Sequence, residues 1–142
     1  MSENVRVKNE ILSLIQRKMT AFFATVEGDQ PRVRVIELVP FENRLYFATG
    51  SDNLKVNQIQ SNPKSEFCLL IERECKNGSL RVECIAMIVE DLNLKKIMYD
   101  YVEEWKEFYE GSKDPRFTLV ELKPTLYIYN KPGTSIIKHL EY

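Results

Sequence analysis

A chain of 142 residues, with 44% hydrophobic and 29% charged side chains, has enough apolar material for one packed domain and enough charge to stay in solution. Its 20 basic and 21 acidic residues leave a net charge of −1, which excludes the large basic excess of a general nucleic-acid binder. No apolar run approaches the ~18 residues of a membrane-spanning helix, and the polar start MSENVRVKNE lacks a signal-peptide core, so the expected compartment is the cytoplasm.

The first predicted element is a helix with Val7, Ile11, Leu14, Ile15 and Met19 on one stripe, suited to packing on a sheet. AFFATV (21–26) predicts a strand, and EGDQP (27–31) a turn in which Gly-Asp supplies the permissive backbone. VRVIELV (33–39) predicts the second strand, ended by Pro40. FENR (41–44) then turns the chain into a third strand, LYFAT (45–49), completing an antiparallel meander. GSDN (50–53) leads into a short helix bearing Leu54, Val56 and Ile59, with Ser51 or Asp52 as its N-cap and Ser61-Asn62-Pro63 as its stop. EFCLLIER (66–73) and LRVECIAMIVED (80–91) form a predicted hairpin around a turn at KNGS (76–79). A long amphipathic helix over 92–110 places Met98, Val102, Trp105 and Tyr109 on one face, and Gly111 stands where a helix end favours a left-handed residue. TLVELK (118–123) and TLYIYN (125–130) are separate strands divided by Pro124, and the tail after Pro132 and Gly133 is unassigned.

This order clusters the strands in hairpins. The expected fold class is therefore mainly β with flanking helices (α+β): an antiparallel, closed or partly open barrel with its helices outside, in a single domain over 1–142. Cys68, Cys75 and Cys84 contain no CxxC pair and read as reduced structural thiols. A lone His139 argues against a histidine-based metal cluster and against a Ser–His–Asp triad.

The stretch with chemical potential is PRVRVIELV (31–39) followed by LYFATGSDNLK (45–55). Strand alternation sets Val33, Val35 and Val39 on one side and Arg32, Arg34, Ile36 and Leu38 on the other. With the valines turned to the core, the arginines lie on the outer wall. Thr49 ends the third strand, and Lys55 lies in the first turn of the helix that follows, where unpaired N–H groups and the helix dipole favour an anion. One reading gathers Arg34, Thr49 and Lys55 around a phosphate. The other is a solvated sheet face with surface cations, and Asp52 counts in its favour. The residues alone leave both open.

FFATVEGDQPRVRVIELV, followed by LYFATGSDNLKVNQIQSNPKSEFCLL, resembles the pyridoxamine 5'-phosphate oxidase-like family of FMN-binding split β-barrels over the N-terminal two thirds. The long helix and DPRFTLVELKPTLYIY (114–129) resemble the general-stress-protein branch of that family. The resemblance implies FMN as cofactor and a homodimer with the flavin between subunits. By position, Arg34 and Lys55 match the phosphate-binding cations, Val35 and Ile36 the backbone at the isoalloxazine edge, and Ala48 and Thr49 the strand end near the ribityl phosphate. Leu54 stands where the oxidases often carry a further arginine, so one phosphate contact is missing. The tail GTSIIKHLEY lacks the arginine- and histidine-bearing substrate motif of the true oxidases, which argues against pyridoxine-phosphate oxidation. The implied activity is flavin-dependent oxidoreduction of a small organic substrate, as in the nitroimidazole-reductase relatives, with NAD(P)H as a candidate donor. A non-catalytic flavin-binding stress protein, a deazaflavin in the same groove, and a haem-handling barrel using His139 are the alternatives. Trp105, Phe108 and Tyr109 are candidates to cover the flavin, although their helical spacing fits core residues equally well.

Overall fold

The computed structural model describes residues 2–142. Helix α1 (Glu3–Leu14) starts at Ser2, whose hydroxyl accepts the Val5 N–H at 3.3 Å, and ends at Ile15. Met19, predicted on the helical stripe, instead opens strand β1 (Met19–Glu27), because it pairs with Leu38 across the sheet. β1 and β2 (Gln30–Phe41) are joined by a two-residue loop, with Gly28 at φ 63°. β2 runs through Pro40 rather than stopping there. Pro40 lies two residues past Leu38, the last β2 partner of β1, so its missing N–H leaves no β1 carbonyl unpaired. The loop to β3 (Arg44–Gly50) is Glu42-Asn43, both at positive φ, 47° and 63°, as a tight hairpin requires.

Helix α2 (Leu54–Ser61) is capped by Asn53, not by Ser51 or Asp52. The Asn53 side chain accepts the Lys55 N–H at 3.0 Å, while the Ser51 hydroxyl is engaged with the Pro115 carbonyl at 2.6 Å. β4 (Lys64–Arg73) and β5 (Lys76–Ile88) turn at Glu74-Cys75, with φ of 51° and 61°, upstream of the predicted Lys76–Ser79 turn. Gly78 therefore lies inside a strand, and its role is close approach. A Cβ there would sit 2.4 Å from the Asn130 carbonyl oxygen and 2.6 Å from the Pro132 nitrogen.

The predicted long helix is broken. α3 (Leu92–Tyr101), capped by Asp91, stops at buried, extended Val102, and a 3-10 turn follows over Glu103–Glu107. The break lets Trp105 and Tyr109 pack on Phe117, with ring centroids 5.6 Å and 5.1 Å away, and leaves Phe108 exposed. Gly111 has no positive φ. The chain after it is held instead by the Asp114 carboxylate, which accepts the N–H groups of Glu110 and Arg116, both at 2.9 Å. The two predicted C-terminal strands are one, β6 (Phe117–Asn130). Pro124 is absorbed where the β5–β6 register shifts between Glu83 and Cys84. The unassigned tail supplies β7 (Ile137–Glu141) on β6.

The sheet order is β3-β2-β1-β4-β5-β6-β7, and antiparallel β3–β6 pairing closes it into a barrel. Phe23, Phe47, Phe67, Leu80 and Leu122 fill the interior, with Ile11 of α1 and Ile59 of α2 sealing it. A second cluster outside the barrel packs α3 and Trp105 on Val39, Tyr46, Phe117 and Leu119. Burial raises the Cys84 thiol to about 12, which suits a packing role; Cys75 is exposed in its turn. No helix among the described residues is long and apolar enough to cross a membrane. The fold is an antiparallel split β-barrel with flanking helices. The barrel is split because β2 meets β3 only through Val39–Phe41, and β1 meets β4 only through Phe22–Ala24.

Gly78→Ala should lower stability to urea by about 1–3 kcal/mol, since the new methyl meets fixed backbone. Gly111→Ala, which meets no atom within 4 Å, should stay within about 0.5 kcal/mol of the parent.

Candidate anion-binding site

The facing of β2 is the reverse of the expected one. Val33 and Val35 are 70% and 59% exposed, whereas Ile36 and Leu38 are buried. Arg34 therefore shares the core-facing side. Val39 is buried too, but in the cluster under α3, so the apolar pattern of this strand marks both faces and could not orient it.

Arg34 is held by a network. Its Nη1 donates to the Thr25 hydroxyl at 2.7 Å and to the Phe23 carbonyl at 3.4 Å, and its Nη2 donates to Gln58 Oε1 at 2.5 Å. Thr25 Oγ1 donates to the same Gln58 oxygen, and Gln58 Nε2 donates to the Glu27 carboxylate at 3.0 Å. Thr25 and Gln58 are almost fully buried. Sequence reasoning missed both. Gln58 had a usable signal: it lies three residues after Lys55 and so shares its helix face. Lys55, 9% exposed, donates from Nζ to the Thr49 hydroxyl at 2.9 Å.

Among the described residues, neither Arg34 nor Lys55 has a carboxylate within ion-pair distance; Glu27 is engaged with Gln58 and Arg32. Desolvation, and then the neighbouring Arg34 charge, lowers the Lys55 pKa. Desolvation, and then Arg32, lowers that of Arg34. Two partly desolvated cations thus face one another unneutralised, an arrangement that an anion would relieve. Asp52 does not supply the charge; its carboxylate lies beside Gly50. In the first turn of α2, Asn53 takes the N–H groups of Lys55 and Val56 through its side chain and carbonyl. The two cationic side chains, rather than these amides, are the groups available to an anion.

Beside these cations runs an open strand edge. The β1–β2 register leaves the backbone of Arg34 and Ile36 directed at β1, so that of Val33, Val35 and Glu37 faces outward. β3 does not cover this edge, because its pairing ends at Val39. Of the two expected backbone positions, Val35 is free and Ile36 is paired. Ala48 lies on β3 with its side chain against the α3-side cluster, and Thr49 stands behind Lys55. A cleft of about 660 Å³ brings together Arg32, Arg34, Val35, Leu54, Lys55 and Gln58. Leu54 contributes an exposed apolar side chain and no charge.

Because burial lowers the Lys55 pKa, the unfolded chain holds that proton more tightly, and the unfavourable contribution fades as pH rises toward the lysine range. Lys55→Met should therefore be at least as stable as the parent at neutral pH without ligand, and its advantage should shrink at alkaline pH. Thermal melts across pH measure this.

A family model described as pyridoxamine 5'-phosphate oxidase matches residues 7–131. General stress protein 26 of Bacillus subtilis (strain 168) is 25% identical over 122 residues, covering 83% of this chain and 84% of that protein. The crystal structure of General Stress Protein 26 from Bacillus anthracis str. Sterne superposes with a TM-score of 0.76 at 26% identity, over 96% of this chain and 99% of that one. A NimC/NimA family protein from Clostridium acetobutylicum gives a TM-score of 0.78 at 20% identity, over 94% of this chain and 91% of the other, a likeness of fold. With a split barrel, an open β2 edge and a match over nearly its whole length, this chain belongs to the pyridoxamine 5'-phosphate oxidase family.

Proposed function

We propose that the chain is an FMN-binding flavoprotein that works as a homodimer and catalyses oxidoreduction of a small organic substrate. The observation that carries this reading is the pair of unneutralised cations, Arg34 and Lys55, at the end of an uncovered strand edge. FMN has a dianionic tail and a flat ring with polar edges, and both requirements are met within one cleft. Arg34 and Lys55 would hold the phosphate, with Thr49 and Gln58 fixing their side chains. The outward N–H and C=O of Val35 would meet the ring edge. Leu54 adds no contact to the phosphate, so affinity is expected to be lower than in a site with a third cation.

When bound, the flavin supplies hydride or electron-pair chemistry; the protein binds, orients and shields it. Shielding is the reason for a second subunit. Phe22, Val33, Val35 and Leu54 are 48–70% exposed around the cleft, an apolar surface that another copy would cover. Trp105 is buried in its own subunit's cluster, which removes it as a cover, whereas exposed Phe108 is free to act as one. His139 is exposed on β7 opposite Ile128 and does not line the cleft, so this residue lends the haem reading no support.

Purified protein should quench FMN fluorescence on titration and elute as a dimer. A hydrogen bond to a charged group contributes about 1.5–3 kcal/mol, so Lys55→Ala should weaken FMN by roughly 10- to 150-fold. Bleaching of the bound flavin by NADH or NADPH, with colour restored by an acceptor, would support the enzyme. Binding without reduction by any donor would leave a flavin-binding protein, and no FMN binding by the parent would sink the flavin reading.

A further inference from the structure

A second cleft, also about 660 Å³, opens at the other end of β2, where α1 crosses the β2–β3 hairpin. Phe41 in its wall is seven residues along the strand from Arg34, which sets the two clefts about 23 Å apart. Four aromatic rings line it. Phe41 and Tyr101 are tilted together at 4.7 Å, and Tyr127 and Tyr142 at 6.1 Å.

Tyr127 is the informative residue. Its side chain is 1% exposed, yet its hydroxyl makes no hydrogen bond to the described residues and is not sealed from the cleft, since no fully buried polar side-chain atom among them lacks a partner. The other buried tyrosines are satisfied: Tyr129 donates to Glu10 at 2.8 Å, Tyr99 donates to the Tyr109 carbonyl at 2.7 Å, and Tyr46 meets Arg44. A tyrosine with a buried ring normally pairs its hydroxyl, here with whatever enters the cleft. Tyr127 contributes to the cleft wall, so a group within the cleft can complete it. Burial, and then Tyr142, pushes its pKa up to about 12, so at neutral pH it is a hydrogen-bond donor.

Among the lining side chains two are cationic, Lys8 and Arg44, and one is a carboxylate, Glu42. Arg44 already approaches Glu121 at 3.8 Å. Lys8 makes no ion pair among the described residues; its Nζ lies 5.6 Å from the centre of the Tyr142 ring. Lys8 and Tyr127 thus flank the same ring, one cation and one unpaired donor.

We propose that this cleft is a second ligand site, distinct from the anion cleft, and that it takes a small aromatic carboxylate. The ligand ring lies among the Phe41, Tyr101 and Tyr142 rings, and its carboxylate meets Lys8 and the Tyr127 hydroxyl.

Benzoate is the probe, titrated into the full chain carrying ¹³C-labelled tyrosine, with benzyl alcohol as the neutral ring and acetate as the ringless anion. Saturable shifts of the Tyr127 and Tyr142 resonances by benzoate are expected, with weaker responses to both controls. Tyr127→Phe, which keeps the ring, and Lys8→Gln, at an exposed position, should each weaken benzoate about three- to tenfold or more. Lys55→Ala should leave benzoate binding unchanged even if it abolishes anion binding at the other cleft. Absence of a saturable shift would overturn the site, and equal binding of benzyl alcohol would overturn the carboxylate assignment. Unchanged benzoate affinity in both folded variants, or loss in Lys55→Ala alone, would also overturn it by placing the probe elsewhere.

Discussion

The short pairing between β2 and β3 governs the rest of this architecture. The hairpin at Glu42-Asn43 holds the two strands together for three residue pairs, beyond which β3 stays paired only with β6 along its other edge. Closing the sheet through β3–β6 buries Phe47 and Leu122 in a common interior. It also leaves one side of β2 without a neighbour. An exposed strand edge is ordinarily a hazard, since its free N–H and C=O groups invite another chain. Here the exposed edge adjoins a cleft with two cations, where a ligand or a partner subunit can satisfy it.

The cations are costly in isolation. Arg34 and Lys55 are drawn partly out of water and held by neutral oxygens of Thr25, Phe23, Gln58 and Thr49. Neutral acceptors orient a cation without cancelling its charge. A carboxylate in the same place would stabilise the empty protein and compete with a bound anion. Glu27 is the carboxylate joined to this network, but Gln58 stands between it and Arg34, donating to the one and accepting from the other. The amide thus transmits orientation while withholding neutralisation.

Much of this was legible in the residues. The hairpin signals, the helix after GSDN and the order of strands follow from local chemistry: period-two alternation, turn residues, and polar stops. The resemblance identified the family and selected Arg34, Val35 and Lys55, which lie in one cleft. Thr25 and Gln58 were not selected, because their importance comes from contact with residues distant in sequence. Local signals also misled where two roles share a residue type. Asn-Gly at 77–78 suits a turn, but Gly78 is required for close passage of Asn130 and Pro132, so the turn falls at Glu74-Cys75. The apolar face of 92–110 is continuous by helical period, yet the chain breaks at Val102 so that Trp105 can reach Phe117.

The sequence by itself determined most of the strands and helices, since those choices depend on neighbours a few residues apart, but not the break at Val102 or the tail strand β7. It also carried the cationic residue types of the anion cleft. Only the tertiary structure decided which way β2 faces, because Val33, Val35 and Val39 look alike until α3 covers the last and leaves the first two to solvent. The tertiary structure likewise decided that Val35, and not Ile36, presents a free backbone, because hydrogen-bond direction depends on the register with β1. The unpartnered Tyr127 hydroxyl is a third such decision: burial of a tyrosine is a pattern in one strand, but a missing partner depends on every element that surrounds it.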